Sequence, residues 1–268
     1  MHETLITAVL IYLALGIGAG MLSGLLGAGG GLVMVPGLMF LFHLDHTVNP
    51  AFMMHVAVGT SLASMIPITV RSLLSHLKRG VVFFAVYQKM LAGLLFGVLA
   101  GSVLAHFIHS IVLQVTFGLF VLTMAYALVR KQKDTVVKKL PGKWGSFAAG
   151  SLTGALTGLL GIGGSTYSVP FMVNRGVDMR VAVVTAIAFA LTSSCIGAII
   201  FMMTGMHVIG LPHWTIGYVL WPAWLGLSVG GIVIAPLGAK ISHQISPQKL
   251  KIIFAIFLLF VSAHMLWV

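Results

Sequence analysis

The residues best equipped to bind something are glycines. Gly27-Ala28-Gly29-Gly30-Gly31 and Gly161-Ile162-Gly163-Gly164-Ser165 each interrupt an apolar run. A glycine costs a helix about 1 kcal/mol relative to alanine, so neither stretch continues as uninterrupted helix. In lipid, a broken backbone is tolerated only where protein or a water-filled cavity satisfies it, which turns both breaks inward. A short helix restarting near Gly31 and near Ser165 presents free N–H groups and the positive end of its dipole. Such ends bind anions. Two of them meeting near the midplane predict a site for a small, highly charged anion. Gly27, Gly29, Gly30 and Gly31 form one side, and Gly161, Gly163, Gly164, Ser165 and Thr166 the other.

Hydroxyls could add donors. Thr60 and Ser61 lie in one apolar span and Thr192 and Ser193 in another, although a helical Ser or Thr also bonds to the carbonyl four residues back. Close helix packing is the competing use of glycine. It accounts for Gly16, Gly20 and Gly24 and for Gly150, Gly154 and Gly158, which repeat at i+4. It accounts less well for consecutive glycines with Pro36 and Pro170 following at the same distance. A nucleotide-binding loop is excluded, because neither stretch follows a strand in a βαβ unit.

Other chemistry is sparse. Lys89, beside Tyr87 and Gln88, is the one cation clearly inside a predicted span, and His55 lies near the outer end of another. Snorkelling explains Lys89 and interfacial placement explains His55; both are also candidates for coupling or anion contact. His43/His46 and His106/His109 have metal-like spacing but no ligand cluster around them, so they are taken as loop residues and no metal or cofactor is expected. No Asp or Glu lies deep in a span, which argues against carboxylate proton relays. Proton coupling would fall to histidine, substrate or water. The single Cys195 excludes an intrachain disulfide. Without HExxH, a GxSxG elbow or paired intramembrane Asp, no enzyme is expected.

The surrounding chain must be a membrane protein. Of its 268 residues, 59% are hydrophobic and 7% charged, against roughly a quarter charged in soluble domains. Apolar runs of bilayer-spanning length recur throughout. Lys and Arg total 15 against 4 acidic residues, and they cluster in short connections as the positive-inside bias requires. Nucleic acid is therefore not the expected partner. Met1-His2-Glu3 lacks a basic n-region, so the first apolar run is expected to be retained.

The chain also repeats itself. Residues 16–36 and 150–170 are identical at 11 of 21 positions at an offset of 134. Two halves, 1–130 and 144–268, flank a basic linker, 131–143. Arg71–Arg79 and Arg130–Lys143 mark cytoplasmic connections; 206–213 carries no Lys or Arg, and a span over about 215–239 is expected to follow it. Counting crossings puts both termini outside and makes each Gly-rich stretch the tip of a hairpin with a long first arm and a short second arm of 10–12 residues. The expected fold is an all-α polytopic membrane protein of two inverted-topology repeats, with 8–10 membrane helices in total. This architecture is common in secondary transporters. Gly93/Gly97/Gly101 and Gly226/Gly230 could serve an intrachain crossing or a homodimer equally well.

The duplicated hairpin resembles the sulfite exporter TauE/SafE family, also called the 4-toluene sulfonate uptake permease family. The resemblance rests on Leu25 to Gly31 with Val35-Pro36, on Ala57-Val58-Gly59-Thr60-Ser61, and on Gly161-Ile162-Gly163-Gly164 with Val169-Pro170. Ser165 replaces the Gly31 of the first half, and Ala188-Phe189-Ala190 stands where the first half has Gly59-Thr60-Ser61. The resemblance implies a secondary transporter of sulfite or an organosulfonate such as sulfoacetate in the bacterial cytoplasmic membrane.

Overall fold

The computed structural model describes residues 2–26, 30–77, 83–129, 141–242 and 247–267. The expected linker falls largely outside them, as do Gly27 and Gly29. The chain forms α1 (His2–Leu26), α2 (Gly31–Asp45), α3 (Met53–Leu77), α4 (Phe84–Phe107) and α5 (Ser110–Val129). After the linker come α6 (Lys143–Leu160), α7 (Ser165–Val173), α8 (Met179–Gly205), α9 (Trp221–Ser242) and α10 (Pro247–Trp267). Among the described residues, four helices are long and apolar enough to cross a membrane, and four shorter apolar helices accompany them.

The helix pairs follow a simple scheme. The principal contacts are α1 on α9, α4 on α6, α5 on α10 and α3 on α8. Matching α1–α5 in order with α6–α10 turns the first pair into the second and maps the other two onto themselves. The central member is α3, buried without interruption from Met53 to Met65. Outer faces carry exposed Phe96, Phe107, Ile111 and Phe260, an apolar surface suited to lipid.

Glycine makes the two long crossings possible. A Cβ on Gly20 would lie 2.7 Å from the Gly231 Cα, and one on Gly16 would lie 2.6 Å from the Leu227 carbonyl oxygen. In α4 and α6, a Cβ on Gly97 would fall on the Ser151 carbonyl oxygen, and one on Gly158 would lie 2.8 Å from the Ser102 nitrogen. Both glycine ridges are thus spent on intrachain crossings, which answers the choice between crossing and dimer for Gly93, Gly97, Gly101, Gly226 and Gly230. The surroundings of Gly24 lie outside the described set.

Two expectations are corrected. The short arms are 15 residues in α2 and 9 in α7, about 22 and 13 Å at 1.5 Å per residue; both fall short of a hydrocarbon core of about 30 Å. Pro36 does not stop α2, whereas α7 ends in a turn with Gly176 at φ 80° and Val177 N–H donating to the Met172 carbonyl. The helix expected from residue 215 begins at Trp221 instead. Before it, β1 (Thr215–Ile216) and β2 (Val219–Leu220) form an antiparallel hairpin around Gly217 at φ 57°. Pro222 sits in the first turn of α9, where a missing N–H leaves no bond unmade.

Candidate functional site

Both Gly-rich breaks exist as helix ends, and they touch. The α6 helix stops at Gly161, whose φ of 66° is left-handed and whose N–H donates to the Thr157 carbonyl at 2.8 Å. Gly163 is also left-handed, and α7 restarts after Gly164 without a side-chain cap. In the first half Gly30, buried at φ 73°, precedes α2, which likewise has no side-chain cap. A Cβ on Gly31 would fall on the Gly161 carbonyl oxygen and would lie 2.9 Å from Ile162. The start of α2 therefore meets the end of α6 at the second glycine break.

The meeting point is braced by α3. Ser61, fully buried, donates its Oγ hydrogen to the Gly161 carbonyl at 3.2 Å, and Val58 packs on Gly161 from the same helix. The first-turn amides of α7 and the Gly31 and Leu32 amides of α2 have no acceptor within their helices. Close by, a cavity of about 10 Å³ is lined by Thr153, Thr157, Gly163, Gly164, Thr166 and Tyr167, among others. The Thr166 hydroxyl is buried without a hydrogen-bond partner. Thr153 and Thr157 donate to the carbonyls four residues back, both at 2.8 Å, which leaves their oxygens as acceptors only in this conformation.

Other sequence candidates lie elsewhere. Thr60 Oγ1 accepts a hydrogen bond from the Leu220 N–H at 3.0 Å, so it anchors the β-hairpin rather than the tip. Thr192 pairs with the Tyr87 hydroxyl at 2.7 Å, and Ser193 donates to the Phe189 carbonyl of its own helix. Lys89 is exposed in the second turn of α4 and does not line the cavity. His55 is buried at the start of α3 beside Tyr218. The side chain of Ser165 lies outside the described set.

Sequence inspection passed over Thr153 and Thr157, although their i, i+4 spacing beside the Gly150/Gly154/Gly158 ridge was available. It also misplaced the register of the third helices. Val56-Ala57-Val58 followed by Thr60 recurs as Val181-Ala182-Val183 followed by Thr185. That makes Thr185, fully buried and donating to the Val181 carbonyl, the better counterpart of Thr60. An expected consequence is that Ser61→Ala, which orphans the buried Gly161 carbonyl, lowers stability by about 1–3 kcal/mol. A thermal scan of detergent-purified protein with a fluorescent reporter of unfolding reads this as a lower midpoint.

Among the described residues, ten helices, two of them short re-starts after glycine breaks, form an apolar bundle of the multi-pass membrane class. The sulfite exporter TauE/SafE family profile matches residues 12–265, and the chain belongs to that family. It is 30% identical to a probable membrane transporter protein of Haemophilus influenzae over 97% of this chain and 98% of that one. A probable membrane transporter protein of Methanocaldococcus jannaschii is 30% identical, over 88% and 87% of the two chains. The probable membrane transporter protein YunE of Bacillus subtilis is 29% identical, over 96% and 97%. No solved structure matches significantly.

Proposed function

We propose that this protein is a secondary transporter of a small sulfur-containing anion, sulfite or an organosulfonate such as sulfoacetate. In this reading its two halves are inverted-topology repeats in the bacterial cytoplasmic membrane, with the linker inside and both termini outside. The observation that carries the reading is the contact of Gly31 with Gly161. It brings the uncapped start of α2 against the end of α6, a few residues before the uncapped start of α7, and the amides and dipoles of helix starts favour negative charge. The exchange relation among the helix pairs supports an inverted repeat, because a two-fold axis in the membrane plane would generate those pairs.

The anion would sit between the tips, taking hydrogen bonds from the first-turn amides of α2 and α7 and from the Thr166 hydroxyl. The cavity beside the α7 tip, about 10 Å³ and lined by no residue of α2, holds at most about one water, so in this reading an anion enters only when the helices part. Loading requires the tips to separate, and α3, which holds Gly161 through Ser61, is the element that must follow them. Alternating access then consists of one repeat rocking against the other.

Labelled-sulfite counterflow in proteoliposomes tests this, with sulfonates and carboxylates as competitors. Saturable exchange blocked by sulfonates but not carboxylates is the expected result. Exchange blocked equally by carboxylates would make it a carrier of other organic anions. Non-saturable flux would make it a channel.

A further inference from the structure

Away from the tips, a second cluster of polar side chains is buried at the end of the bundle that lacks Lys and Arg. His55, 3% exposed, stacks on Tyr218, 2% exposed, with ring centroids 5.1 Å apart. His106, expected in a loop like His43, is instead half-buried in the last turn of α4 (as His43 lies in the last turn of α2) and places Nδ1 3.2 Å from the Tyr218 hydroxyl. The His55 Nε2 lies 3.0 Å from the Ala105 carbonyl oxygen. A carbonyl only accepts, so Nε2 carries the hydrogen and neutral His55 presents Nδ1 as a bare base. That atom is buried with no hydrogen-bond partner. Imidazole is the ordinary side chain whose charge changes between pH 5 and 8.

The cluster is wired to the hairpin, and the hairpin to the site. Tyr218 N–H donates to the Phe201 carbonyl of α8 at 3.2 Å, and Leu220 N–H donates to Thr60 of α3 at 3.0 Å. The hairpin is thus wedged between the two central helices; a Cβ on Gly59 would lie 2.8 Å from the Tyr218 carbonyl oxygen. One helix, α3, carries His55, Thr60 and Ser61 in succession, linking the cluster, the hairpin and the Gly161 tip over about 9 Å of helix.

We propose that His55, His106 and Tyr218 form a proton-operated latch, in which one proton taken by the two imidazoles releases the 215–220 hairpin and opens the outer path to the anion site. The inference rests on the carrier reading for what lies behind the latch. With His106 neutral as its Nε2–H tautomer, its Nδ1 accepts the Tyr218 hydroxyl hydrogen and the latch is closed. Burial pushes the Tyr218 phenol's pKa up, so it remains a neutral donor. A protonated His106 becomes a donor at Nδ1, and the hydroxyl hydrogen of the buried Tyr218 must find another acceptor. The titratable groups facing His55 are His106, His109 and Tyr218, and no carboxylate offsets a second charge among the groups facing it. The cluster therefore takes one proton rather than two.

The hairpin carries its own reporter, because Trp214 and Trp221 stack edge to face at 5.8 Å across its base and the Trp221 N–H donates to the Trp214 carbonyl. Intrinsic fluorescence of the full chain in nanodiscs, titrated from pH 8 to 5, should show a one-proton transition. His106→Gln and Tyr218→Phe should each abolish it; the first sits on a half-buried residue and the second keeps the ring, so both are expected to fold. In proteoliposomes, sulfoacetate flux through the wild type should change with outer pH by about 5- to 150-fold, the usual range of coupling between sites. A flat wild-type titration, or a transition unchanged in both variants, overturns the latch. A transition without transport of any sulfur anion leaves the latch standing and removes the carrier reading. Transport with no pH dependence removes the latch alone.

Discussion

Gly31→Ala is expected to abolish sulfite or sulfonate exchange in protein that still reaches the membrane. Position 31 is the first residue of α2, and alanine is the better helix former there, so nothing local opposes the change. The obstacle is tertiary. A methyl group at that point falls on the Gly161 carbonyl oxygen and presses on the Ile162 backbone, and backbone cannot rotate aside as a side chain would. Overpacking of this kind costs typically about 1–3 kcal/mol, enough to shift the tip contact by roughly 5- to 150-fold. Gly164→Leu attacks the same place from the other tip, since a Cβ there would lie 2.6 Å from the Thr153 methyl. Counterflow measured alongside surface abundance decides the matter. Full exchange in both variants would take the tips out of the mechanism.

The second large effect separates structural glycines from idle ones within a single helix. Gly20→Leu should remove most folded protein, whereas Gly18→Leu should leave abundance and thermal midpoint within error of wild type. Two residues apart in α1, they face opposite environments. A Cβ at Gly20 lies 2.7 Å from the Gly231 backbone, while one at Gly18 meets nothing within 4 Å. Both variants lose glycine's helix penalty equally, so intrinsic propensity cancels and the crossing alone is measured. Size-exclusion profiles of detergent extracts give the readout. Equal loss in both, or in neither, would contradict the close approach of α1 and α9.

Helix order, the two glycine breaks and the membrane class were legible in residue order because they depend on local quantities. An apolar run of about twenty residues has few alternatives to a spanning helix, and consecutive glycines end a helix wherever they occur. The i+4 spacing of Gly16 and Gly20 announced a close crossing, but not its partner. Which surface a ridge meets depends on how all ten helices share one bundle, and the tertiary structure assigned α9 to α1 and α6 to α4.

Hydroxyl roles were the least legible. Thr60 and Ser61 are neighbours in sequence, yet one holds the hairpin and the other the tip, because adjacent helical residues point about 100° apart. The 215–220 hairpin was missed because its six residues are apolar enough to extend the following helix. Only Gly217 in the left-handed region and the wedge between α3 and α8 hold it as a ladder. Tyr218 owes its place to that wedge. Sequence alone determined that two glycine breaks interrupt the apolar runs. The fold decided that the two breaks touch, that α3 braces them, and that His106 and Tyr218 stand beside the His55 end of that helix.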